Sequence, residues 1–185
     1  SFLTSITIGI KSIQETLSEA IEYVGSGFRI LKVKTGESVT EDIELIRKLR
    51  EAVGKNILIR VDANQGYTSE NLVLFAKSTA AENVEFIEQP LPIDKDVDMM
   101  QVSEKIRVQC AADESLHHPA DGEHLAAEPH KFGIYNIKLM KSGGIYPALK
   151  IANTAQLSGI DLMWGCMDES RISISAALHA ALACP

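Results

Sequence analysis

The sequence predicts a parallel α/β fold: an incomplete TIM (β/α) barrel of seven strand–helix units. Two observations carry this reading. Short apolar runs alternate strictly with amphipathic helical patterns, and ionisable residues recur at strand ends at a near-constant interval. Asp62, Glu88, Asp113 and Lys138 are spaced 26, 25 and 25 residues apart, with Lys34 another 28 residues before Asp62. A period of about 25 residues is the length of one strand-plus-helix unit, so these five side chains are expected at one height around a ring of parallel strands. Strict βα alternation implies a parallel sheet, and the lack of a Gly-rich dinucleotide turn favours a barrel over a doubly wound open sheet.

The strand candidates are residues 5–10, 29–34, 58–62, 84–88, 108–113, 134–138 and 161–164, each short and apolar enough to be covered on its outer face. The first helix opens on a capping box, Ser12 with Glu15, carries Ile13, Leu17, Ile21 and Val24 at helical spacing, and ends at Gly25 or Gly27. The second starts near Ser38 and Glu41, carries Ile43, Ile46, Leu49 and Val53, and stops at Gly54. The third follows Thr68 with Leu72, Phe75 and Ala76, and helical patterns recur over 96–105, 119–128, 145–157 and 170–183.

An eight-unit barrel takes about 250 residues. Seven units fill these 185 residues, so residues 1–185 are expected to be a partial barrel domain lacking its eighth unit. The initial Ser1 and the stop at Pro185 point to a piece of a longer protein, since the first and seventh strands would otherwise be unpaired edges.

The composition, 45% hydrophobic and 23% charged, is that of a globular chain with a real core. A net charge of -7 without any basic run argues against nucleic acid or an anionic membrane, leaving a small molecule as the partner. Cys110, Cys166 and Cys184 are odd in number and lack metal-type spacing, which suits buried, reduced thiols in a cytoplasm. Ser1-Phe2-Leu3-Thr4 carries no basic leader, and the apolar stretches are interrupted before membrane-spanning length.

Side chains two apart on a strand share a face, so Lys32 and Lys34 are expected to point together into the interior, with Leu31 and Val33 toward the helices. Two buried ammonium groups repel each other. That predicts a lowered pKa for Lys34 and a neutral amine able to act as a general base. Parity likewise groups Arg60, Asp62 and Asn64, Phe86 with Glu88, and Ala111 with Asp113. Three carboxylates at one level call for a hard divalent cation, and with no His or Cys among them Mg2+ is favoured, with Mn2+ as a substitute. The alternative is structural, each carboxylate pairing separately with Lys32, Arg60 or Lys138. Lys138 is expected to face Lys34 across the metal. A base on each face suits removal of a proton from a carbon beside a carboxylate and its return from the opposite side, through an enediolate stabilised by the metal.

Six motifs share a further property. Lys32-Val33-Lys34, Asp62-Ala63-Asn64-Gln65-Gly66, Glu88-Gln89-Pro90, Ala112-Asp113-Glu114-Ser115, Asn136-Ile137-Lys138-Leu139-Met140-Lys141 and Gly165-Cys166-Met167-Asp168-Glu169-Ser170 resemble, in order, the barrel motifs of the enolase superfamily. Among its muconate-lactonizing and mandelate-racemase-like barrels they look most like dipeptide epimerases of the L-Ala-D/L-Glu type. The resemblance implies Asp62, Glu88 and Asp113 as Mg2+ ligands, Lys34 and Lys138 as paired acid/base catalysts, and Lys32 as a holder of the substrate carboxylate. Lys138 is expected to be the sixth-strand catalyst rather than Lys141, because its spacing and strand position fit while Lys141 lies beyond the strand. The resemblance implies a dipeptide as substrate, and a homo-oligomer is a further expectation for the chain. It also implies two parts that are not in these residues: an N-terminal capping domain and an Asp-x-Asp motif after an eighth strand. The rival activities within the superfamily are o-succinylbenzoate synthase and muconate-type cycloisomerase, and a further alternative is a catalytically incomplete barrel fragment.

Thr7, at the matching ring position of the first strand, Asn64 and Asp168 are further substrate-contact candidates, although Asp168 and Glu169 also read as a helix-start pair. The five histidines, His117, His118, His124, His130 and His179, lack zinc-binding spacing and read as surface or packing residues. Gly143-Gly144 reads as a turn rather than a phosphate nest.

Overall fold

The computed structural model describes residues 4–184. Ser1, Phe2, Leu3 and Pro185, on which the readings of the chain ends partly rest, lie outside the described residues. Over the described residues the fold is an incomplete α/β barrel of seven strands. It divides into two compact units, Ser1–Ile106 and Arg107–Pro185.

In the first unit β1 (Ile6–Ile8), β2 (Ile30–Lys34), β3 (Leu58–Asp62) and β4 (Val84–Glu88) lie side by side in chain order, all parallel. Helices α1 (Ile13–Gly25), α2 (Val39–Val53) and α3 (Ser69–Ser78) make the crossovers. The predicted capping box forms: Glu15 N donates to Ser12 Oγ while Ser12 N donates to the Glu15 carboxylate. Leu31 is laddered to Ile59 and Val33 to Val61, and these four, with Ile46, Leu49, Leu72 and Phe75 of the helices, have no exposed surface. Each such side chain contributes about 1.5–3 kcal/mol by leaving water. The alternate positions of the same strands pair Lys32 with Arg60 and Lys34 with Asp62. Period-two alternation thus sorts one strand into a core-facing apolar row and a charged row.

The helix expected over 96–105 is corrected. A 3-10 helix, Ile93–Gln101, runs first, followed by the single turn α4 (Glu104–Arg107). The buried residues Asp96, Met99 and Val102 recur at three-residue spacing, which matches three residues per turn and not 3.6.

The second unit holds β5 (Cys110–Ala112), β6 (Ile134–Ile137) and β7 (Asp161–Trp164), parallel and in chain order. Its helices are α5 (Pro119–Leu125), the short α6 (Leu139–Ser142), α7 (Ile145–Leu157) and α8 (Arg171–Ala183). β5 is shorter than predicted because α4 continues into a turn at Val108 and Gln109. α5 stops before the predicted residue 128, as Pro129 disfavours helical backbone at the residue preceding it. Tyr135, fully buried, donates its hydroxyl to Gly122 O at 2.8 Å and so ties β6 to α5. Cys110 is buried in the strand core, where burial pushes its thiol up to about 12, as an inert reduced cysteine requires. The expectation of buried thiols is corrected for the other two: Cys166, in the loop after β7, is exposed, and Cys184, just past α8, is half-buried. Among the described residues no helix is long and apolar enough to cross a membrane.

Candidate active site

In the first unit the ladder places Lys34 beside Asp62 and Asp62 beside Glu88, so three predicted site residues stand at one level on successive strands. Lys32, one pleat repeat below Lys34, reaches up between the acids: its Nζ is 3.0 Å from Asp62 Oδ2 and 2.7 Å from Glu88 Oε2. Burial works against the Lys32 ammonium, but Glu88 and Asp62 outweigh it and hold its pKa above the ordinary lysine range. The expected pair of buried, mutually repelling lysines is therefore corrected. Lys32 is a neutralised cation, and Lys34 keeps 38% of its side chain exposed. Its Nζ is 3.7 Å from Asp62 Oδ2 and donates to Asn64 Oδ1 at 2.8 Å.

Asn64 therefore contacts two site residues directly. Its side-chain amide and backbone N–H both donate to Asp62 Oδ1, the latter at 3.2 Å. The turn that aims it there is left-handed at two successive non-glycine residues, Asn64 with φ 45° and Gln65 with φ 65°. Thr7 is the ladder partner of Lys32 on β1 and is exposed. Arg60, a candidate partner for the carboxylates, turns instead to Glu85, with Nε 2.6 Å from Oε2, and lies over the Phe86 ring.

In the second unit Asp113 follows β5. The last ladder pair is Ala112 with Tyr135, so the next step sets Asp113 level with Asn136, and Lys138 stands two residues farther along. Nζ of Lys138 still reaches Asp113 Oδ2 at 2.5 Å. Lys141, almost buried, bonds Asp113 Oδ1 and the Asp113 backbone carbonyl. Burial raises the Asp113 pKa, but Lys141 and Lys138 overcome it and bring the carboxyl down to about 2. Burial, with repulsion from Lys138, lowers the pKa of Lys141 in spite of Asp113. Lys138 caps α6 and Lys141 lies in it, so one helical turn returns the second amine to the strand end. The three-residue interval in the sequence is the signal for that shared face.

Asp168 is exposed after β7. Its neighbour Glu169 accepts from Met167 N at 2.8 Å and from the Ser173 hydroxyl, which serves the start of α8 as the helix-start reading expects.

Among the described residues no group of three or more His, Cys, Asp and Glu side chains is assembled as a metal cluster. Each of the three carboxylates is engaged by lysine instead. Asp62 and Glu88 nonetheless fit an oxygen-seeking cation: two hard carboxylates, buried side by side, already converge on one positive charge, the Lys32 ammonium.

Residues 15–185 match the family described as enolase C-terminal domain-like. The chain is 57% identical over 178 residues to the L-Lys-D/L-Arg epimerase of Desulforapulum autotrophicum, covering 96% of this chain and 50% of that protein. Identity to the L-Ala-D/L-Glu epimerase of Clostridium acetobutylicum is 35% over 182 residues, covering 97% of this chain and 51% of that protein. The crystal structure of the Methylococcus capsulatus dipeptide epimerase complexed with Mg and the dipeptide L-Arg-D-Lys superposes with a TM-score of 0.97 at 52% identity, covering 100% of this chain and 52% of that one. The chain thus spans about half the length of the curated relatives it matches. With nearly its whole length matched, the chain belongs to the enolase C-terminal domain-like family.

Proposed function

We propose that residues 1–185 form one partial barrel domain of a Mg2+-dependent dipeptide epimerase, an isomerase that inverts the carbon beside the substrate carboxylate by two-base 1,1-proton transfer. The observation that carries the reading is the alignment of Lys34, Asp62 and Glu88 on three successive strands, with an ammonium already gripped by both acids. Similarity to L-Lys-D/L-Arg epimerases, stronger than to the L-Ala-D/L-Glu enzyme, supports a dipeptide with cationic side chains as substrate. A cytoplasmic location and self-association belong to the same proposal.

In this reading Asp62, Glu88 and Asp113 would hold the divalent cation, which when bound supplies positive charge against the substrate carboxylate. Lys32, kept protonated by its acid neighbours, binds and orients that carboxylate. Lys34 gives one N–H to Asn64, which fixes the direction of Nζ and leaves its exposed side for the α-proton. Lys138 holds the second proton, delivered to the opposite face; inversion requires an amine on each face because a single base returns the proton to the side it came from.

The test is proton exchange in D2O with the full-length protein that carries these residues. The wild type is expected to label both epimers of a cationic dipeptide. Lys34→Ala and Lys138→Ala should each abolish inversion while retaining exchange from one epimer, the two variants with opposite preference. An active enzyme that labels no dipeptide and instead dehydrates a succinylbenzoate precursor would sink the epimerase reading in favour of o-succinylbenzoate synthase. The half-length match favours a second reading for the 185 residues alone, a catalytically incomplete segment. Robust turnover with Mg2+ by a monomer of this length would exclude it.

A further inference from the structure

Behind Lys34 lies a buried polar network that the proposed reaction does not use. Lys34 ends β2, and Thr35 and Gly36 carry the chain out of the sheet. Thr35 N donates to Asp62 O at 2.8 Å, and Gly36 N donates to the Asp42 carboxylate at 3.0 Å. The same Oδ2 of Asp42 accepts the hydroxyl of Tyr67 at 2.8 Å, and that hydroxyl is 3.3 Å from Thr35 Oγ1. Thr35, Asp42 and Tyr67 are all buried. Burial raises the Asp42 pKa against the hydrogen bonds from Gly36 and Tyr67.

What the network joins is the loop after β2 to the loop after β3. The two approach backbone to backbone: a Cβ on Gly66 would sit 2.0 Å from Gly36 O, and one on Gly36 would sit 2.1 Å from Ala63 O. The second loop is the one that bends left-handed at Asn64 and Gln65. Non-glycine residues keep such a conformation only where their surroundings over-determine it. Here Gln65 N is tied to Gln89 O and Tyr67 N to Pro90 O on one side, and the Tyr67 hydroxyl to Asp42 on the other. The product of that turn is Asn64 Oδ1 facing Lys34 Nζ.

We infer that Tyr67 and Asp42 are positioning residues for Lys34: their hydrogen bond clasps the β2 and β3 loops and holds the left-handed turn that directs Asn64 onto the lysine amine. The inference rests on the proposed role of Lys34 as a base and goes beyond it in assigning function to two residues that touch neither substrate nor metal.

The test uses Tyr67→Phe, Asp42→Ala and Asp42→Asn in the full-length protein, with a crystal structure of each and kinetics on α-deuterated dipeptide. In Tyr67→Phe and Asp42→Ala the Lys34–Asn64 contact is expected to open and kcat to fall about 10- to 100-fold, with KM changing less than about threefold. The deuterium isotope effect on kcat should rise as proton transfer becomes limiting, and it is a ratio that loss of folded protein does not move. Asp42→Asn keeps an acceptor for Gly36 and Tyr67 and should restore the contact and the rate. Variants that lose only thermal stability, with the contact intact and the isotope effect unchanged, overturn the inference. If Tyr67→Phe does not fold, Asp42→Ala and Thr35→Val probe the same clasp, and both should open the Lys34–Asn64 contact. If the wild type epimerises no dipeptide, the enzyme reading fails by itself, and the contact in the variant structures still decides the clasp: opened supports it, intact refutes it.

Discussion

The ammonium of Lys32 lies 2.7 Å from Oε2 of Glu88, a carboxylate with no exposed side-chain surface. Removing one member of a buried charge pair leaves the other uncompensated, at about 3–5 kcal/mol. Here one lysine pairs with two acids, Glu88 and Asp62.

Lys32→Met should therefore lower the melting temperature by about 6–20 °C for a domain of this size, and Mg2+ should recover more of that loss in the variant than it adds to the wild type. The sign of the pH dependence follows from the raised Lys32 pKa. Its stabilisation is complete below the ordinary lysine value of about 10.4 and is lost as pH climbs through the higher folded value. Thermal melts on either side of that range should show the alkaline limb in wild type and a flatter one in the variant.

Asp113 gives the opposite limb. Its carboxyl is held down at about 2 by Lys141 and Lys138, so its contribution is present above the unfolded value of about 3.9 and is lost as pH falls through the folded one. Denaturant titrations of wild type between about pH 4.5 and 2 should lose about 2–3 kcal/mol on this account. Asp113→Asn should lack that portion of the slope and should be less stable near neutral pH, where Lys138 and Lys141 would face each other without the shared anion.

Arg50 on α2 makes no salt bridge among the described residues, although Glu82 lies near enough to favour its charge. Its guanidinium donates instead to the backbone carbonyls of Glu82 at 2.8 Å, Gly54 at 2.6 Å and Ile57 at 2.7 Å, with Asn83 O at 3.4 Å. One buried fork thus closes the loops that precede β3 and β4. Arg50→Ala should cost about 1–3 kcal/mol by stranding the buried Ile57 carbonyl and opening the fork, and Arg50→Lys should recover little, since an ammonium cannot span the same fork. Calorimetric melts of the two variants check both statements.

The sequence by itself determined the seven strands, the capped helix at Ser12, the parity that splits Leu31 and Val33 from Lys32 and Lys34, and the alignment of Lys34, Asp62 and Glu88. These features are local: period-two alternation, caps and regular unit length act within a few residues or repeat along the chain. Three others were decided only by tertiary structure. Whether Lys32 repels Lys34 or is captured depended on which side chains from β3 and β4 come within 3 Å of its amine. The 3-10 turn after Pro92 followed from which side of that segment is covered, and its burial period of three is visible only once packed. The clasp of Tyr67 on Asp42 spans 25 residues and is set by two loops meeting at Gly36 and Gly66. Electrostatic partners and backbone strain depend on distances between segments far apart in the chain, and no periodicity encodes them.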